Sequence, residues 1–178
     1  MEAYIVPDWV TIIAGLVIYQ RQPETKVLFG LRSARSEAGK WCLPTGLGAI
    51  RRDISSVLAV GAPETLKDPI SVIQGMSERH QQALLSPGGF ALAEAKWYVD
   101  LPNTKIDQLI PLKPICQLDS KSLLVKLYFG LEWQDSEPPK YAKTEWPFVE
   151  VRFFTKKELE SIPIAFGCDK DLGELAII

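Results

Sequence analysis

The sequence predicts an α+β domain in which a mixed sheet carries helices on its faces. Three observations predict it. Segments rich in β-branched and aromatic residues stand at both ends of the chain. Two helix-opening signals, each a capping residue followed by proline, lie between them. No shift of composition divides residues 1–178 into two units. Strands, then helices, then strands, then a helix is the order of a single α+β domain.

The elements follow in chain order. "WVTIIAGLVIYQ", residues 9–20, has the β-branched density of a buried strand. "RQPET" turns the chain into a second strand, "KVLFGLR", residues 26–32. "SARSEAGK" is a polar loop, and "WCLPTGLGAI", residues 41–50, is a short strand running into a glycine-containing loop. Residues 51–85 form an inserted segment, expected to be mostly helical and to pack outside the sheet core. Asp68 and Pro69 open its helix "ISVIQGMSERHQQALL", in which Gly75 is a weak point. Ser86 and Pro87 repeat the signal and open a helix over residues 86–100, with Phe90, Trp97 and Leu101 turned inward. Residues 105–117 are extended and broken by Pro111 and Pro114. "KSLLVKLYFGLEW" is the clearest late strand, "QDSEPPKYAKTEW" a loop or linker, and "PFVEVRFF" the last strand. Thr155 and Glu158 have the spacing of a capping box opening a short helix, and the tail "CDKDLGELAII" is helical.

Composition narrows the function. Apolar residues make up 47% and charged residues 24%, with a formal net charge of −2. That balance suits an ordinary globular domain, not a basic nucleic-acid sleeve or a cationic membrane patch. No apolar run reaches the roughly 18 to 20 residues of a membrane span, and "MEAYIVPDW" lacks the basic start of a secretory signal. Cys42, Cys116 and Cys168 are odd in number and far apart, so neither a disulfide framework nor a metal pair is expected. The expected setting is the cytoplasm or another reducing intracellular compartment. His80 is the only histidine, which leaves little from which to build a Ser-His-Asp triad or a multi-histidine metal site.

At this point the residues resemble a known family, the Nudix hydrolases, which cleave nucleoside diphosphates linked to another moiety. "VTIIAGLVIY", "KVLFGLRSARSEAGKWCLPTGLG", "SPGGFALAEAKWYVDLP", "LLVKLYFGLEW" and "VRFFTKKELESIP" carry the resemblance, which covers most of the chain apart from residues 51–85. "GKWCLPTGLG" is similar to the family's approach to its signature loop, with Thr45 in place of a glycine. The resemblance implies a Nudix-like α/β/α sandwich with a mixed sheet. The family's signature runs Gly, five residues, Glu, seven residues, Arg-Glu, aliphatic, any, Glu-Glu, any, Gly, aliphatic. Anchored on Gly46, the first Glu position holds Arg52. Gly46 and Ala93 then stand 47 positions apart instead of 14, so about 33 residues interrupt the signature. Beyond the interruption, Ala93-Glu94 take the Arg-Glu positions, Trp97-Tyr98 take Glu-Glu, and Asp100 takes the glycine. A rival alignment through "RRDISSVLAVGAP", with Arg52-Asp53 as the Arg-Glu pair, keeps no acidic pair either.

The resemblance implies a site, and the substitutions change its chemistry. In the family, carboxylates at i, i+3 and i+4 share one helix face and hold Mg²⁺ against the diphosphate. Here those offsets give Glu94, Trp97 and Tyr98. An indole N–H only donates, and a neutral phenol is a poor Mg²⁺ ligand, so one carboxylate of three remains. Glu94 is thus the one candidate catalytic residue. Trp97 and Tyr98 either pack in the core or floor the former metal cleft, where they would stack on a base or on a partner's side chain. Arg32 and Arg35 border the cleft as candidate phosphate ligands or are solvated loop charges, as Lys40 and Arg51 are too. Glu132, Glu145 and Glu150 are the acids able to enter from outside the helix, if they are not plain surface charge.

Three functions follow. The first is a Nudix-like domain without metal-dependent hydrolysis, serving as a binding or assembly module with a protein partner or as a homo-oligomer. The second is a divergent hydrolase with a rebuilt site, the only case that calls for Mg²⁺. The third is a sensor that binds a nucleotide or nucleotide-sugar without cleaving it. A membrane is not an expected partner, and nucleic acid enters only within a larger assembly.

Overall fold

The computed structural model describes residues 9–33, 37–50, 78, 85–118, 122–142 and 148–177. Of the inserted segment 51–85, only Glu78 and Leu85 fall within these, both in helical conformation. The rest of that expectation, with His80 and Arg51, lies outside the described residues.

The centre of the sheet is β1, Trp9–Gln20. It pairs in parallel with β7, Ser122–Glu132, over eleven residues from Trp9↔Ser122 to Tyr19↔Glu132. Its other edge is shared. β4, Thr45–Ile50, runs antiparallel to its first half, and β2, Lys26–Arg32, meets its end at Tyr19 and Gln20. β2 carries β3, Trp41–Cys42, beside β1 and β8, Phe148–Thr155, on its far edge. β5, Ile110–Pro111, and β6, Ile115–Leu118, complete the outer edge of β7. Among the described residues the result is one eight-stranded mixed sheet.

Residues 45–50 correct the expected loop. They form a strand because β1 supplies a ladder along their whole length, with Gly46 opposite Ala14 and Gly48 opposite Ile12. Pairing with a central strand outweighs the weak strand preference of glycine. The stretch 105–117 is also more divided than expected: a 3₁₀ turn at Ile106–Gln108 precedes two short strands, the first ending at Pro111 and the second starting after Pro114.

Helices cover both faces. α1, Pro87–Tyr98, lies on one face, where Phe90 and Ala91 pack on Ala14 and Phe129. Side chains alternate along a strand, so Lys126 and Tyr128 face the opposite way from Phe129. There they meet Asp171 of α3, Cys168–Glu174. Lys126 Nζ donates to both oxygens of Asp171 at 2.7 and 2.9 Å, and the Tyr128 hydroxyl donates to Oδ2 at 2.6 Å. Both ionic partners are buried, and the hydrogen bonds offset the cost of taking them out of water. α2, Lys156–Leu159, opens on the capping box expected from the sequence: Thr155 accepts from the Glu158 N–H, and Glu158 accepts from the Thr155 N–H.

Candidate functional site

α1 presents the positions the sequence singled out. Its core-facing side is Gly88, Ala91, Leu92 and Ala95, with Phe90 buried at its N-terminal end. Ser86 precedes the helix without a side-chain capping bond, and Pro87 fits the first turn, where an N–H has no helical partner. The two flanks of the helix meet different parts of the sheet. On one, Lys96 Nζ donates to the Thr104 carbonyl at 3.2 Å. On the other, Phe90, Glu94 and Tyr98 are four residues apart and therefore in line.

Glu94 is half-buried. Tyr98, also half-buried, lies on the ring of Phe148, centroids 5.1 Å apart. Phe148 reaches Tyr98 because Gly30 has no side chain: its ring occupies the space a Cβ at Gly30 would take. Trp97 corrects the inward orientation expected of it. It is 64% exposed, whereas Phe90 and Leu101 are buried as expected. The helix has apolar residues around most of its circumference, so their spacing did not select the buried side.

Arg32 pairs across the ladder with Phe148, which brings it to the far side of the same aromatic step. Its Nη1 is 3.8 Å from Cys42 Sγ, and its guanidinium lies over the Phe166 ring at 5.0 Å. Phe166 is itself 54% exposed. Burial pushes the Cys42 thiol up, and the neighbouring Arg32 pulls it the other way. Gly46 is in β4 beside Ala14, in the region covered by α1. Glu94 and Tyr98 are thus in line on one flank of α1, Gly46 is in β4 opposite Ala14, Arg32 is across the ladder from Phe148, and Trp97 is exposed. Arg35 and Glu145 lie outside the described residues.

The other acids and bases stand elsewhere. Lys40 is paired with Glu37 at 2.6 Å, and Arg21 with Glu132 at 3.5 Å. Glu150 is exposed on β8. Among the described residues, no three His, Cys, Asp or Glu side chains are placed to hold a metal ion. The i, i+3, i+4 face of α1 offers one carboxylate, one exposed indole and one stacked phenol, a donor set that does not fit hard Mg²⁺.

One feature escaped the sequence. The chain around Lys140 and Tyr141 folds against the end of α1: Val99 bridges to Tyr141, Asp100 N–H donates to the Lys140 carbonyl at 2.7 Å, and Ala142 N–H to the Tyr98 carbonyl at 2.9 Å. The cleft between them, about 490 Å³, is lined by Lys96, Asp100, Lys140 and Tyr141 among others. Two ammonium groups against one carboxylate favour an anionic occupant. The only local signal was "PPKY", which reads as a linker.

No family model matches the sequence, and no curated protein matches it. Solved structures do match the fold. The MutT Nudix hydrolase from Burkholderia pseudomallei superposes with a TM-score of 0.53 at 13% identity, over 93% of this chain and 98% of that one. The Nudix domain of Shewanella oneidensis NrtR, complexed with ADP ribose, gives 0.52 at 16% identity, over 99% of this chain and 88% of that one. The Nudix hydrolase RenU from M. smegmatis gives 0.52 at 12% identity, over 99% and 89%. The chain has a divergent Nudix fold, with the α/β/α layers the resemblance implied. Among the described residues, no helix is long and apolar enough to cross a membrane.

Proposed function

We propose that this Nudix-fold chain is a binding or assembly module without metal-dependent hydrolysis. The observation that carries the proposal is the face of α1: Glu94 stands there with an outward Trp97 and with a Tyr98 held on Phe148. Diphosphate hydrolysis needs metal charge beside the phosphates and a water in line. A single carboxylate does not assemble that charge. Loss of one preorganised electrostatic contributor typically costs about 100- to 1,000-fold in rate, and here two of three are replaced. Glu94 would then act as a polar contact, and Trp97 and Tyr98 as surfaces for stacking.

The test is a screen of nucleoside diphosphate derivatives with Mg²⁺ and Mn²⁺, on the chain and on Glu94→Gln. The expected result is no turnover by either. Turnover abolished by Glu94→Gln would overturn the proposal in favour of a divergent hydrolase.

A second function, non-hydrolytic nucleotide sensing, is favoured by one observation: the cleft lined by Lys96 and Lys140. A similarly folded domain has been crystallised with ADP ribose. In this function Lys96 and Lys140 would supply the phosphate contacts, and Arg32, Arg35 and Gly46 are the further candidates that the sequence offers. Stabilisation by ADP ribose in a thermal melt without metal, lost in Lys140→Glu, would establish this function.

A further inference from the structure

We propose that β8 is a homodimer edge, pairing antiparallel with β8 of a second copy about a two-fold axis at Val151. Among the described residues, β8 is hydrogen-bonded to a strand on one side only, that of β2. An unpaired edge of eight residues is a template for another strand unless its side chains oppose pairing. Here the side chains select a partner. Glu150 and Arg152 are both exposed, two residues apart, and on one face of the strand.

In an antiparallel pair related by a two-fold axis, opposed residues must share a face, so the register can move only in steps that keep this parity. Centred on Val151, Glu150 opposes Arg152 of the second copy, and Arg152 opposes its Glu150. Centred on Arg152 instead, the two guanidinium groups would oppose each other. Directly opposed charges stabilise or destabilise a strand pair by their sign, so the self-complementary register is the one at Val151. Arg152 already binds Glu158 Oε1 at 2.6 Å through Nη2, and the remaining donors of its fork stay available for a second carboxylate. The bulge at Leu31/Arg32 opposite residues 148–150 limits how far the ladder extends. A short ladder makes a concentration-dependent dimer, weakened by salt. The proposal does not depend on what the α1 cleft does.

The test is sedimentation equilibrium on the full chain, on Glu150→Arg, on Arg152→Glu and on an equimolar mixture of the two variants. The chain is expected to dimerise. Each variant alone opposes like charges at both contacts and should associate at least about tenfold more weakly. The mixture opposes unlike charges again and should recover the association. A chain that stays monomeric to about millimolar concentration would overturn the proposal, as would a mixture no better than its components when both are folded by circular dichroism. Should Arg152→Glu not fold, Val151→Cys in a Cys116→Ser background decides. On the two-fold axis it should oxidise to a covalent dimer, whereas Val149→Cys should not. Equal cross-linking at both positions, or none at Val151→Cys, counts against the register.

Discussion

The ring of Tyr98 lies on that of Phe148 at 5.1 Å with a tilt of 36°, joining the end of α1 to the strand at the edge of the sheet. The contact depends on Gly30, whose missing side chain is the space Phe148 fills. Gly30→Ala should therefore push Phe148 away and loosen Tyr98 with it. Overpacking of this kind costs about 1–3 kcal/mol. The urea midpoint should fall with the m-value unchanged, and a midpoint equal to that of the parent would show that Phe148 moves at no cost.

Trp97 gives the contrasting case. A core tryptophan loses about 3–5 kcal/mol on truncation to alanine. At 64% exposure, Trp97→Ala should cost less than about 1 kcal/mol while weakening whatever binds the end of α1. Urea titration checks the first half of that expectation. A loss above about 3 kcal/mol would place Trp97 back in the core.

Much of the fold was legible. β1, β2, β7 and β8 announce themselves through β-branched and aromatic density, and the Thr155–Glu158 box through its spacing alone. β4 was not legible, because two glycines in six residues look like a loop until β1 is placed beside them. The site was read less well. Glu94, Trp97 and Tyr98 were placed on one helix by their offsets. Which side of that helix is buried depends on Ala14 and Phe129, which no local pattern names. The cleft at Lys140 rests on bridges between residues about forty positions apart. The Lys126–Asp171 pair is separated by 45.

That pair makes the strongest single prediction for stability. Asp171→Ala leaves the Lys126 ammonium buried and uncompensated, and the loss should be about 3–5 kcal/mol. The double substitution Lys126→Met/Asp171→Leu removes both charges and should be less destabilising than Asp171→Ala. Chemical denaturation of Asp171→Ala, of the double variant and of its two single parents, Lys126→Met and Asp171→Leu, settles it. A double variant as unstable as the sum of its parts would mean that the pair contributes more than its own satisfaction.

The thiols carry a prediction in pH. Burial pushes Cys168 up to about 12 and raises Cys42 and Tyr128 as well. Unfolded, a thiol ionises near its ordinary value of about 9. The folded chain thus keeps protons that the unfolded chain releases, and stability is full below about pH 9 and declines as pH rises toward 12. The melting temperature should fall across that window. At pH 8, Cys116, which is exposed, should react quickly with a disulfide reagent, and buried Cys42 and Cys168 only on unfolding. A Cys168 that reacts as fast as Cys116 in the native chain would contradict its burial.

The parallel pairing of β1 with β7 sets the order in which the chain can mature. Trp9 meets Ser122, 113 positions later. A nascent chain on the ribosome can form the local β1–β2 and β1–β4 contacts early, but the middle of the sheet stays open on one side until β7 has emerged. Closing so long a loop is slow compared with forming a hairpin. During that interval the apolar residues of β1 would be exposed to other nascent chains, which makes this the stage of synthesis at which chaperone engagement would matter most.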